Sequence, residues 1–542
     1  MPSHDYPITV LPHTSRIVCD LLGASPSVAS EPLLRRVFPS LGPPSARFNA
    51  DWQSRPAHLT PAHRNRLADL LAAQQHHPAA LAAVESLRNG ASAVVTGQQP
   101  VLFGGPLYTL LKAATAIARA RAASAAGHPH VAIFWLATED HDLAEVNHAE
   151  LLAADSVESL RLAIPHRPGE PVGALALPPD LSALLDRAAV LLHHAPIADT
   201  LRAAYSPGAT LAAAAARLFA DIFAAEGLIV LDASSRELHA LGAPILADAI
   251  TRAPILNAAL RARNAELIAA GYHAQVHVDE ASASLFLLDE VTGARNALHL
   301  TPESPHFTDA AGRIHSAADL LAILRAAPER ISPGALLRPV FQDFILPTSL
   351  VIGGPAELAY FAQADVLYSA LLGRTTPIEH RLTATLIAPA IAAAMAKYAV
   401  DLPQALASPD DLALRIGARS LPPEGKRKLA AAGNQLATEL DALTAWMRSM
   451  DESLGRSATV SASKMLYQMN RLRRMAANFE LHRSQSIARA ASAISLHLFP
   501  TRHPQERVLA GVQFLAIFGP ALVPAVIDAA ATPTSSHTAL VL

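Results

Sequence analysis

The stretch from Ala93 to His148 constrains the fold more than any other part of this 542-residue chain. It reads A-V-V-T-G-Q-Q-P-V-L-F-G-G-P-L-Y-T-L-L-K, and later V-A-I-F-W-L-A-T-E-D-H-D-L-A-E-V-N-H. Two short apolar runs are thus each followed at once by a polar cluster. Between them Leu107, Leu110, Leu111, Ala114, Ile117 and Ala118 recur at helical spacing. The pattern predicts strand, loop, helix, strand, loop. If the strands are parallel neighbours, the loops at 96–105 and 138–148 emerge at one carboxyl edge, where open α/β sheets bind ligands.

Composition narrows the choices. Hydrophobic residues make up 51% and charged residues 16%, which excludes a disordered chain. A formal net charge of −3 offers no electrostatic case for nucleic acid, and the basic runs 426–428 and 471–474 read as solvated helix faces. The single cysteine, Cys19, rules out an intrachain disulfide or a thiolate metal cluster. No basic segment leads into an apolar one near the start, so the expected compartment is the cytoplasm. The run 514–531 is apolar but is interrupted by Gly519, Pro520, Pro524 and Asp528, and reads as buried core with no membrane span.

Residues 1–60 read as an irregular arm with one or two short helices. Thr60 and Pro61 open a helix through about Gln75. A Pro-rich excursion occupies 155–207, Thr210 caps a helix to about Ala225, and 227–232 returns as a buried strand. Ser234 with Glu237 fits a capping box. Residues 274–279 alternate like a strand, and 284–288 with Thr292-Gly293 predicts an antiparallel hairpin on one side of the sheet. A second dense region, 337–363, repeats the grammar of apolar run, Gly-Gly-Pro and helix. Beyond about 384, Leu429, Leu436, Leu443 and Met450 recur every seven residues, and a second series runs four residues out of phase. After a break expected at 453–463 the seam resumes with Met465, Met469, Leu472, Ala476 and Phe479. An antiparallel helical arm over 385–495 follows, expected to pair with a second subunit. The last segment, 496–542, returns to the core, which spans 1–384.

Glu139, Asp140, His141 and Asp142, followed by Asn147 and His148, place ionisable groups directly after an apolar strand, where burial is costly unless each is paired. Asp140, His141 and Asp142 are the catalytic candidates. Thr96, Gly97, Gln98 and Gln99 suit hydrogen bonding to a sugar, an amino acid or an adenylate. Gly104, Gly105 and the helix beyond them, with Tyr108 and Lys112, form a candidate anion site. Lys112 is one of five lysines and the only one before Lys397. Gln342, Asp343, Gly353, Gly354 and Glu357 form a candidate opposite wall. The cluster lacks His-Glu-x-x-His spacing and no protein-held metal is expected, although magnesium could accompany a nucleotide. Neither phosphate loop nor dinucleotide fingerprint is present, and no G-x-S-x-G elbow occurs.

The motifs T-G-Q-Q-P-V-L-F-G-G-P-L-Y-T-L-L-K, F-W-L-A-T-E-D-H-D-L-A-E-V-N-H, R-P-V-F-Q-D-F-I-L-P-T and G-G-P-A-E-L-A-Y-F-A-Q, in this order, resemble the bacillithiol biosynthesis cysteine-adding enzymes, a family of cysteine ligases. The resemblance runs from about residue 50 to the carboxyl end and includes G-L-I-V-L-D, G-Y-H-A-Q-V-H-V and P-Q-E-R-V. It implies an α/β fold with a Rossmann-like core related to class I aminoacyl-tRNA synthetases, connecting-peptide insertions, and a coiled-coil arm making a homodimer. It also implies that L-cysteine is joined to the amine of glucosaminyl malate, with an adenine nucleotide (ATP or ADP) as the expected co-substrate. The chain departs from the synthetases in lacking their histidine signature and lysine-serine loop. The alternatives are another nucleotide-dependent transferase on this fold, and a dimeric coiled-coil scaffold whose core only binds.

Overall fold

A computed structural model describes residues 3–22, 31–38, 52–53, 59–301, 306–533 and 535–542. Its centre is a five-stranded, all-parallel sheet. In spatial order the strands are Ile378–His380, Thr348–Gly353, Ser92–Gln98, His130–Leu136 and Ile229–Asp232. Numbered by chain position from the other edge, the order is 3-2-1-4-5, that of a doubly wound Rossmann-like sheet. Every residue of His130–Leu136 is buried, as a parallel strand covered on both faces requires.

Alternate side chains of these strands feed two different cores. Val94, Ala132, Phe134, Val230, Leu350 and Ile352 face the layer that holds the helix Leu107–Ala125. Ala93, Val95, Ile133, Trp135, Leu231 and Val351 face the layer with the helices Arg236–Thr251, Arg338–Ile345 and Pro355–Leu372. Leu107–Ala125 is alanine-rich and apolar nearly all round, the signature of a helix buried on every side. Its outer neighbours are the carboxyl-terminal helices Gly511–Phe518 and Leu522–Ala529, whose Val512, Phe514, Val523 and Val526 join the same core. The run Gly511–Ala529 is long and apolar enough to cross a membrane by composition, but half of it is buried inside the protein.

Several expectations are met in local detail. Thr60 caps Pro61–Gln74 through His63 N, and Thr210 caps Leu211–Ile222 through Ala213 N. Others are corrected. Ser235, not Ser234, caps Arg236–Thr251, because Ser234 is committed to the Asp232 carboxylate. The expected hairpin is part of a separate five-stranded sheet in the order Ile314–Ser316, His306–Thr308, Arg295–Leu300, Ser282–Leu288 and Ile331–Pro333. Residues 274–279 form no strand. The Gln363 amide accepts from Val276 N at 2.9 Å and donates to Val276 O at 2.8 Å, so one side chain takes the place of a partner strand.

The chain's two ends meet in a small sheet, where Ser3–Pro7 runs antiparallel to Ser536–Val541, which runs parallel to Ala384–Ile387. The predicted amino-terminal arm thus begins as a strand and adds a 3-10 turn at Ile8–Val10 and the short helices Arg16–Leu21 and Glu31–Val37, and its residues 1–2, 23–30, 39–51 and 54–58 lie outside the described residues. Between the second and third core strands a hairpin of His148–Leu152 and Val157–Arg161 precedes the helices Leu181–Leu191 and Ile197–Ala204. The arm consists of Pro423–Met450 and Glu452–Arg483, and no break occurs at 453–463. Asp451 alone makes the turn by accepting from Ser453 N and Leu454 N, and Gly455 allows close approach to Arg448.

Candidate active site

After the strand Ser92–Gln98 the chain turns into one helical layer, and after Thr348–Gly353 it turns into the other. These adjacent strands therefore leave a crevice at their carboxyl ends, the switch point where ligands bind in such folds. A cavity of about 390 Å³ lies there. Thr96 to Gln99, Asp140, Gly354 and Arg381 reach it from the ends of four different strands. Gly97 is needed for this convergence: a Cβ there would stand 2.9 Å from the Trp135 carbonyl oxygen.

The crevice floor is an ion pair. Lys112, 4% exposed, places Nζ 2.5 Å from Glu357 Oε2, and donates to Gly97 O at 2.8 Å and Gln98 Oε1 at 3.0 Å. Burial pushes the Lys112 pKa down, while Glu357 opposes the shift. Its three protons are spent inside the protein, so it fixes Gln98 and ties the two layers together; the expected role as a free anion-binding lysine is corrected. Thr96 Oγ1 is likewise committed, donating to Ile352 O at 2.9 Å.

Each Gly-Gly-Pro helix start has one amide already taken by the chain itself. Leu107 N donates to Leu509 O at 2.8 Å, and Gly511 N donates to Gly105 O, so the returning carboxyl-terminal segment plugs the first. Gly104 and Gly105 adopt φ of +81° and +72° and serve the tight turn. At the second, Glu357 Oε2 reaches back to accept from Gly354 N at 2.6 Å, which is half of a capping box because glycine has no side chain to supply the other half. At each helix start that the sequence offers to phosphate, one amide is therefore taken by an oxygen of the chain itself.

Among the three catalytic candidates only Asp140 lines the cavity. Gln99 Nε2 donates to Asp140 Oδ2 at 2.7 Å and to Glu145 Oε2 at 2.8 Å, holding two carboxylates on one amide. Burial raises the Asp140 pKa, but Gln99, the His141 amide and the charges of Arg338 and Arg295 outweigh it, so the group lies below the usual carboxylate range. His141 leans towards Phe286 of the second sheet, with ring centroids 6.0 Å apart. Asp142 caps the short helix Leu143–Val146 through Ala144 N. Neither is in the cavity wall, although His141 Nδ1 stands 4.0 Å from Asp140 Oδ1. Asn147 ends that short helix, and His148 lines a neighbouring cavity. Tyr108 and Gln342 are in the wall as expected. Asp343 is not: it is fully buried, accepts from Tyr368 Oη at 2.6 Å, and burial raises its pKa. Gly353 packs against Ile378.

Three arginines and a tryptophan in the wall escaped the sequence reading. Arg338, Arg381 and Arg507 supply its positive charge. Arg381, 2% exposed, is held at one end by Glu506, with contacts of 2.7 and 3.0 Å, while its Nε is buried without a partner among the described residues. Trp135 Nε1 is a second such buried donor on the same wall. Such orphaned donors are costly in a closed protein, and an acceptor supplied from outside the chain relieves that cost. Trp135, Arg338 and Arg507 all lie inside motifs visible in the sequence, but which side chain turns inward depends on the packing. Among the described residues no group of three or more His, Cys, Asp and Glu is arranged to hold a metal.

Comparison with known proteins agrees with this architecture. Residues 11–382 match the family model for the bacillithiol biosynthesis BshC N-terminal Rossmann-like domain, and 384–542 match that for the BshC C-terminal coiled-coil domain. A protein of Koribacter versatilis named "Putative cysteine ligase BshC" is 38% identical over 537 residues, covering 97% of each chain. Proteins of the same name from Solibacter usitatus and Thermus thermophilus are each 34% identical, over 89% and 86% of this chain and 90% and 92% of their own. Matched over nearly its whole length in both its sheet core and its helical arm, the chain belongs to the bacillithiol biosynthesis BshC family.

Proposed function

We propose that this protein is a ligase that joins the carboxyl group of L-cysteine to the amine of glucosaminyl malate, giving bacillithiol. The observation that carries the reading is a cavity at the switch point lined by Trp135 and Arg381, each with a buried N–H that has no partner among the described residues, and by the ionised Asp140. A malyl group brings two carboxylates, whose oxygens satisfy those donors and whose charge suits Arg338 and Arg381. The sugar amine, as its ammonium, then has Asp140 as its counter-ion. A carboxylate as acidic as Asp140 seats and orients an ammonium better than it removes a proton from one, so its role in this reading is positioning first.

The reaction forms a C–N bond and expels one carboxylate oxygen, which requires an activated carboxyl group. The co-substrate we propose is ATP, with magnesium. One amide at each Gly-Gly-Pro helix end, Leu107 N and Gly354 N, is already taken by Leu509 O and Glu357, so in this scheme the phosphates are not seated on those two amides. We infer also that the arm pairs with that of a second copy, because Leu443, Trp446, Met450, Leu472 and Phe479 are all at least half exposed along it.

Incubating the pure protein with glucosaminyl malate, cysteine and ATP, and following product and nucleotide by mass spectrometry, tests the reading. Product with nucleotide turnover supports it. Product without turnover removes ATP from the scheme, and no product from well-folded protein defeats the ligase reading.

A further inference from the structure

A second cavity, of about 600 Å³, adjoins the first and shares Gln98, Gln99, Tyr108, Glu145 and Arg507 with it. Its own walls differ in character. His148 and Glu150 share one face of the strand His148–Leu152, and Val101, Ala149 and Val508 add apolar residues to the lining. Arg507, Glu145 and Glu150 make no ion pair among the described residues. His148 Nδ1 is buried without a partner among them. The rim includes Thr501, which with Arg502 adopts φ of +50° and +64°, a strained backbone for residues other than glycine.

We propose that this second cavity receives the amino-acid substrate as a zwitterion. Its carboxylate lies on Arg507 at the shared wall, its ammonium lies by Glu150 and Glu145, and its small side chain lies by the apolar lining residues Val101, Ala149 and Val508. This rests on the ligase reading and assigns its two substrates to two cavities. The distribution of charge decides the assignment. The first cavity offers orphaned donors and several cations, which suit a ligand with more than one carboxylate. Among the described residues, the second offers a cation and two carboxylates outside any ion pair, with apolar residues in the same lining, which suit a small amino acid. Only the shared wall brings the two ligands together. Gln99 holds Asp140 and Glu145 side by side there, so an amine seated by Asp140 faces a carboxylate seated on Arg507.

Crossed variants of the full chain provide the test. Glu150→Gln and Val508→Phe touch only the second cavity, and Trp135→Phe only the first. The first two are expected to raise KM for cysteine about tenfold and to leave KM for glucosaminyl malate within roughly twofold, while Trp135→Phe does the reverse. Saturation-transfer NMR with L-cysteine alone reads the same site without turnover: the wild-type signal is expected to be lost in Val508→Phe. Circular dichroism confirms folding, and Glu150→Gln, at a half-buried side chain, carries the test if Val508→Phe does not fold. The proposal is overturned if the second-cavity variants change KM for the amino sugar instead of cysteine, or if cysteine binds all variants alike. A wild-type protein that binds cysteine in this cavity but makes no product defeats the ligase reading alone.

Discussion

Replacing Lys112 by Met removes the cation at the crevice floor while keeping most of the side-chain volume. It leaves the Glu357 carboxylate, 19% exposed, with only the Gly354 amide, and strips Gln98 Oε1 and Gly97 O of their donor. Breaking one partner of a buried ion pair costs about 3–5 kcal/mol, mostly because the other charge is left unpaired. Adding Glu357→Gln removes that charge, so the double variant is expected to regain more than half of the loss. The remaining deficit, about 1 kcal/mol for each lost hydrogen bond, falls on Gln98 and Gly97. Urea denaturation followed by far-UV circular dichroism, with all four proteins of the cycle, measures these values. The double variant should also have a lower kcat, because Gln98 loses its anchor. A single variant within about 1 kcal/mol of wild type, or two losses that simply add, would refute the account of Lys112 as an interlayer tie.

Acid should weaken the fold before its carboxylates titrate. Burial pulls His537 down to about 4 and His380 down to about 3, so both are neutral in the folded state. Their stabilisation is complete above the unfolded value of about 6.5 and is lost as pH falls through the folded values, at up to about 1.4 kcal/mol per pH unit for each group. Glu506 adds a later loss: burial raises it, but Arg381 outweighs this and holds it at about 2, so its contribution fades between the unfolded range and that value. Urea midpoints measured from pH 7.5 to 4 should fall from about pH 6.5 downward, and a flat profile contradicts the assignment. Asp142→Ala should cost about 1 kcal/mol through its lost helix cap, with kcat largely kept, whereas Asp140→Asn should lose most of kcat with little change in melting temperature. Equal kcat losses in the two would remove the distinction between them. Leu443→Glu with Phe479→Glu on the arm should shift sedimentation from dimer to monomer, and an unchanged coefficient rules out pairing through this face.

The alternation of apolar runs with polar loops at 93–148 determined a parallel α/β core, because a fully apolar strand must be covered on both faces. Helix caps at Thr60 and Thr210 and the heptads of the arm were also legible, since each depends on neighbours within a few residues or on a local period, whereas the run 514–531, expected as core, falls largely in a segment only half buried. Several local signals were misleading because a distant group took the place that a local partner was expected to fill. Gln363 replaced a partner strand at Val276, Leu509 filled the helix start at Leu107, and Glu357 took both the Gly354 amide and Lys112. The site shows the same division. Gln98, Gln99 and Asp140 could be picked out because they stand at a strand end or within a few residues of one. Arg381, Arg507 and Trp135 could not, because a side chain becomes part of a site only when residues hundreds of positions apart converge. Chemistry-bearing residue types are written in the chain, but which of them remain unpartnered towards a shared space is a property of the packing alone.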